Sequence, residues 1–182
     1  MTKLWKNVLV LWVIGMGIAI SAPALAANAV GPYYATPSWD QTLPAATRFI
    51  VLTNMNSEAV LDRETGLVWE QSPSTSTDSW GSASIHCLTL SKGGRKGWRL
   101  PTIQDLASLI DPTQSNPALP SGHPFSKLQS SLYYWSASTV AFDANNAWGL
   151  DFFGGGLVLG GKSNNINFYA WCVRGGPAVD PQ

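Results

Sequence analysis

The chain is predicted to fold as an α+β domain, with two short helices set among antiparallel strands and long loops. Three observations predict it. Residues 93–109 write a glycine turn, a short apolar strand and a capped helix in succession. The last third alternates strand-like runs with turn residues, Gly154-Gly155-Gly156 among them. No repeat with a period of roughly 20 to 50 residues recurs, which argues against solenoids and propellers.

At the start, Lys3 and Lys6 precede an apolar run over residues 8–20, and Ala24-Leu25-Ala26 supplies a small-x-small cleavage site. Residues 1–26 therefore read as a signal peptide cleaved after Ala26, and the protein is expected to be exported, periplasmic or extracellular. The apolar run is short for a membrane span of about 20 residues, so no span is expected after cleavage. Removing the leader takes two lysines and no acid, turning 11 basic and 11 acidic residues into 9 and 11, a formal charge of −2. That balance argues against a bulk nucleic-acid binder. The 156 residues that remain (182 − 26) suit one domain with a sizeable core.

Residues 27–47 carry Pro32, Pro37 and Pro44 among small and polar residues, with Tyr33, Tyr34 and Trp39 interspersed, and read as an extended arm. The domain is placed at residues 48–176, with 177–182 as a tail. Residues 48–52 and 59–62 have strand composition, and a turn over 62–66 leads into Leu67-Val68-Trp69, which gives a small meander. Trp80, Ala83, Cys87 and Leu90 then recur at helical intervals, with Gly93 and Gly94 as the expected stop. Trp98 and Leu100 alternate with Arg99 as on a half-buried strand, which Pro101 forbids to continue. Thr102 caps a second helix expected over 103–110. Asp105 meets its positive end, and Ile103, Leu106, Leu109 and Ile110 share one face. An irregular stretch with Pro117, Pro120 and Pro124 follows, and strands are expected at 133–136, 147–153, 157–159 and 168–173.

Cys87 and Cys172 are the only cysteines, and in an exported chain an even count favours a disulfide over a metal site or a catalytic thiol. Such a bridge ties an early helix to the last strand. In the loop-entropy account it contributes roughly 4 to 5 kcal/mol, an upper figure. Two buried, unpaired thiols are the alternative.

Catalytic constellations are scarce. Gly156 to Ser163 fits the phosphate-loop string, but Leu157-Val158-Leu159 is strand-like and Asn164-Asn165-Ile166-Asn167 is a poor helix start, so the match is rejected. His86 and His123 are the only imidazoles and read as partly exposed, without a zinc spacing or a nucleophile pattern. Asp143, Asn145, Asn146 and Asp151 are weighed for calcium, which needs six to eight converging oxygens, and no metal or other cofactor is expected. Trp69, Trp98, Trp135 and Trp171 read as core, while Trp148, Tyr33, Tyr34 and Trp39 read as exposed.

The candidate ligand-binding residues are Lys92, Arg95, Lys96 and Arg99, four cations in eight positions among glycines that let a sulfate approach the backbone. Against this stands a solvated turn in which Arg99 pairs with a buried carboxylate or carbonyl.

Asp62 with Thr65-Gly66-Leu67-Val68-Trp69, Gly97-Trp98-Arg99-Leu100-Pro101-Thr102, Tyr134-Trp135-Ser136-Ala137-Ser138, and Lys162-Ser163-Asn164 with Cys172-Val173-Arg174-Gly175 together resemble the Lcl C-terminal domain family. That family is named for the terminal domain of a bacterial collagen-like adhesin. The resemblance implies a C-type-lectin-like fold with a disulfide from the first helix to the final strand. The adhesin is thought to bind sulfated glycosaminoglycans, but this chain has no Gly-X-Y repeat, so a trimeric stalk does not carry over. Arg99-Leu100-Pro101-Thr102 also resembles formylglycine-generating enzymes, whose C-terminal cysteine pair is missing because Cys172 stands alone there. The function expected is non-catalytic binding of a polysaccharide, acidic or sulfated, or of an envelope protein. A structural envelope component and an enzyme of the formylglycine-generating group are the alternatives.

Overall fold

The computed structural model describes residues 43–131, 133–163 and 166–176. The signal peptide, Tyr33, Tyr34 and Trp39 of the arm and the 177–182 tail lie outside the described residues. The end of the stretch read as an extended arm is instead one helical turn, α1 (Ala45–Arg48), because Ala45 and Arg48 turn inward to be buried.

The α+β expectation holds: among the described residues, two five-stranded sheets carry three short α-helices. The first sheet begins with the predicted meander, β1 (Phe49–Val51), β2 (Ala59–Asp62) and β3 (Val68–Glu70), paired antiparallel. The chain's last described strand, β10 (Val173–Arg174), then slots between β3 and β5 (Trp98–Arg99). The second sheet is built from β4 (Thr77–Asp78), β6 (Tyr133–Val140), β7 (Asp143–Asp151), β8 (Leu157–Gly161) and β9 (Phe168–Tyr169), in the order β4-β9-β6-β7-β8. Among the described residues, only the β6–β9 pairing is parallel. Among the described residues no helix is long and apolar enough to cross a membrane.

The run read as one strand over 168–173 is two strands in two different sheets. Phe168 and Tyr169 pair in the second sheet, the chain crosses at Ala170–Cys172, and Val173 and Arg174 pair in the first. An unbroken apolar run hides that change because every residue from Phe168 to Val173 is buried. The strands expected at 133–136 and 147–153 are longer or shifted, pairing from Tyr133 to Val140 and from Asp143 to Asp151.

α2 (Trp80–Thr89) opens on Ser79, whose hydroxyl accepts from the Ser82 amide at 3.3 Å, and ends with Leu90 in an extended conformation. Gly93 and Gly94 therefore do not stop this helix; they make a later turn. α3 (Ile103–Ala107) carries the predicted cap in full. The Asp105 amide donates to Thr102 Oγ1 at 3.1 Å and the Thr102 amide donates back to Asp105 Oδ2 at 2.9 Å. The helix stops three residues short of the expected Ile110, and Leu109 reaches the core from the turn that follows.

The core is aromatic. Trp171 packs edge-on to Phe125 at 4.8 Å and tilted against Trp69 at 5.4 Å, while Trp135 stacks on Phe168 at 4.1 Å. Each such pair contributes about 0.5 to 1.5 kcal/mol beyond the area it buries. All four tryptophans assigned to the core are buried, whereas Trp148, read as exposed, is half-buried. Gly160 passes directly over the indole of Trp135, where a Cβ would overlap the ring.

One buried ion pair fixes the meander to α3. Arg48 donates Nε to Asp62 Oδ1 at 2.9 Å and Nη2 to Asp62 Oδ2 at 2.7 Å, and Nη2 also donates to the Ser108 carbonyl at 2.8 Å. Glu64 lies 3.4 Å from Nη1 and adds a second negative charge. The fork geometry and the extra acceptors offset the cost of removing these charges from water.

Candidate functional site

The basic segment lies between α2 and β5. The Lys92 amide donates to the Arg95 carbonyl at 3.1 Å and the Arg95 amide donates back to Lys92 at 2.9 Å, closing a two-residue turn on Gly93 and Gly94. Both glycines have positive φ, +57° and +68°, as a type I′ turn requires. Gly93 has a second reason to be glycine, since a Cβ there would stand 2.5 Å from the Cβ of Met55.

Three groups pin the backbone of this turn. The Gly93 amide donates to Glu58 Oε2 at 2.7 Å, the indole Nε1 of Trp98 donates to the Arg95 carbonyl at 2.9 Å, and Arg174 Nε donates to the Lys96 carbonyl at 2.9 Å. Trp98 is thereby a buried strut beneath the turn, and its ring offers no exposed apolar face to a ligand.

The four predicted cations separate into two kinds. Arg95 and Lys96 are exposed, and neither side chain has a hydrogen-bond or ion-pair partner among the described residues. Arg99 is committed elsewhere: Nη1 donates to Asp105 Oδ2 at 2.7 Å, and Nε and Nη2 both donate to the Gly175 carbonyl, at 3.1 and 2.8 Å. It joins β5, the N-terminus of α3 and the chain after β10, so the pairing weighed against the binding reading is the one that forms. Lys92 is intermediate. Its ammonium lies 3.7 Å from Glu70 Oε1, and its side chain keeps 30% of its surface exposed.

Arg174 is the cation that sequence reasoning left out of the cluster. It sits beside Trp98 in the β10–β5 register, is exposed, and reaches the turn through Lys96. Its only signal in the sequence is its place in the Cys172-Val173-Arg174-Gly175 motif, 78 positions from Lys96.

Under this surface lies the bridge. Cys87 on α2 and Cys172 at the sheet crossover form a disulfide with Cα atoms 5.4 Å apart and a sequence separation of 85. The Cys172 amide donates to Glu70 Oε2 at 2.9 Å. Burial holds the Glu70 carboxyl above the usual glutamate range, with the Cys172 amide and Lys92 opposing that shift.

The other residues weighed from sequence do not converge. Asp143 accepts from the Asn145 amide and from Asn146 Nδ2 at one end of β7. Asp151 lies at the other end, about 26 Å away at the usual rise of a strand, and accepts from the Phe153 amide. The phosphate-loop string forms β8, with no helix after it among the described residues. His86 and His123 are both half-buried. His123 stacks on Phe125 at 5.8 Å, and burial holds its imidazole below the ordinary value.

Compared with known protein families, residues 58–174 match the model of the Lcl C-terminal domain. No curated protein matches the chain.

Proposed function

Because the chain belongs to the Lcl C-terminal domain family, we propose that it is an exported, non-catalytic binding module that takes an acidic or sulfated polysaccharide on the turn between α2 and β5. One observation carries this reading: Arg95, Lys96 and Arg174 are exposed around a turn whose backbone is held at Gly93, Arg95 and Lys96 by Glu58, Trp98 and Arg174. A sulfate needs cationic donors at the surface: the Arg95 and Lys96 side chains have no partner among the described residues, and Arg174 spends only its Nε on the Lys96 carbonyl. Lys92 borders the set, while Arg99 supports it from behind through Asp105 and Gly175. The preorganised backbone lowers the ordering cost of binding.

Export is supported by the buried disulfide, a bond that persists in oxidising compartments. The clip from α2 to the approach of the last strand fits the C-type-lectin-like arrangement implied by the family resemblance.

A glycan array tests the reading. Saturable retention on sulfated or uronate-rich glycans, lost with Arg95→Ala and Lys96→Ala together and absent on neutral glycans, is the expected result. Equal retention on neutral glycans, or none on any, contradicts it.

A further inference from the structure

Beside the disulfide lies a set of side chains that the binding reading does not use. A Glu70 carboxylate oxygen, a His86 ring nitrogen and Cys172 Sγ all lie within 4.8 Å of one another. Cys87 Sγ is bonded to Cys172 Sγ, so a second sulfur lies directly beside this group of three. The four come from three separate elements: β3, α2 and the crossover between β9 and β10.

We propose that the reduced form of this protein binds one zinc ion through Cys87, Cys172, His86 and Glu70, so that the site holds either a disulfide or a metal. Two thiolates, an imidazole and a carboxylate make a donor set suited to Zn²⁺, which is borderline-soft and takes four ligands tetrahedrally. With metal–ligand bonds of about 2.0 to 2.3 Å, the donor atoms of such a site stand about 3.3 to 3.8 Å apart. Among Glu70, His86 and Cys172 the present spacing therefore asks for a contraction of about 1 Å, and the two sulfurs must part for Cys87 to become the fourth ligand.

Charge supports the same assignment. Two thiolates and one carboxylate carry three negative charges against two on zinc, leaving one excess negative charge in a buried place. The Lys92 ammonium already stands 3.7 Å from Glu70 Oε1 and supplies the balancing positive charge. Glu70 Oε2 is held by the Cys172 amide, which fixes the carboxylate's orientation toward the sulfurs.

The interconversion balances. A dithiol reductant gives two electrons and two protons to the disulfide, the S–S bond breaks, and the reductant becomes its own disulfide. Zinc then displaces the two thiol protons and takes both sulfurs as thiolates. Reoxidation by a disulfide oxidant reforms the bond, takes up two protons on the oxidant's sulfurs and releases Zn²⁺.

The test uses the purified protein, oxidised and after anaerobic reduction with a phosphine, titrated with Zn²⁺ and with Co²⁺ as a spectroscopic substitute. Near-ultraviolet circular dichroism follows the aromatic core at each step. The expected result is one metal per reduced chain, a tetrahedral cobalt spectrum with a thiolate charge-transfer band, and a native-like aromatic signal in the metal-loaded reduced form. His86→Ala and Glu70→Gln should each weaken zinc binding at least tenfold, and the oxidised protein should bind none at this site. No metal on the reduced chain overturns the proposal. So does affinity unchanged in both variants, or metal bound to a reduced chain whose aromatic signal stays lost, since each means that the two thiols alone capture zinc from an unfolded state.

Discussion

Arg174 Nε donates to the backbone carbonyl of Lys96 at 2.9 Å, so two cationic residues 78 positions apart meet at the rim of one turn. The contact consumes one donor of Arg174 and only the backbone of Lys96, leaving the Lys96 ammonium and the rest of the guanidinium to solvent. It is available because β10 pairs with β5, placing Arg174 opposite Trp98. The cationic surface is thus a product of sheet order as much as of local composition.

The turn that carries this surface depends on Gly93. Its φ is +57°, and an added Cβ would lie 2.5 Å from Met55 Cβ and 2.6 Å from the Met55 carbonyl oxygen. At Gly94, φ is +68° but the space is open. Gly93→Ala should therefore lose about 2 to 4 kcal/mol, from backbone strain plus overlap, and Gly94→Ala only about 1 to 2 kcal/mol, from strain alone. Urea unfolding of the two variants checks this, and equal losses would contradict it.

Asp62→Ala leaves the Arg48 guanidinium buried with only Glu64 at 3.4 Å to oppose its charge. Breaking a buried pair from one side costs about 3 to 5 kcal/mol. The loss should appear as a lower denaturation midpoint with an unchanged denaturant slope. A loss under about 0.5 kcal/mol would remove this pair from the account of the fold.

His123 gives the fold a pH dependence. Burial lowers its folded-state value below the ordinary one, so the unfolded chain takes up a proton first as pH falls. The stabilisation is fully present above the ordinary imidazole range and is lost as pH drops through it toward the folded value. Thermal unfolding of His123→Gln across pH 7.5 to 5 should show a shallower decline than the parent protein. Parallel declines would mean that other groups set the dependence.

What was legible in the sequence was mostly local. The Thr102–Asp105 capping box spans four residues, and its partners cannot miss each other once the helix forms. The β1–β2–β3 meander was legible for the same reason, each strand pairing with the next one along the chain. The division of Phe168 to Val173 between two sheets was not, because burial on all sides erases the alternation that marks a strand's faces. At the candidate site, the glycines and the exposed Arg95 and Lys96 could be read directly. The commitment of Arg99 to Gly175 and the arrival of Arg174 depend on partners 76 and 78 positions away, which no local pattern announces. The disulfide is long-range too, yet two cysteines leave only one intramolecular pairing.

On the proposed reading, local cation placement and not overall charge is what holds an anionic polymer. The whole chain has a formal net charge of zero, so bulk attraction predicts no retention on a sulfated matrix. The direct measurement is the salt concentration that elutes the protein from a heparin column, for the parent and for the double variant Arg95→Ala, Lys96→Ala, whose side chains hold no fold contact among the described residues. Clear retention of the parent and flow-through of the variant are expected, with both showing the same thermal midpoint to within a few degrees. Retention of the folded variant at the parent's salt concentration would contradict that reading.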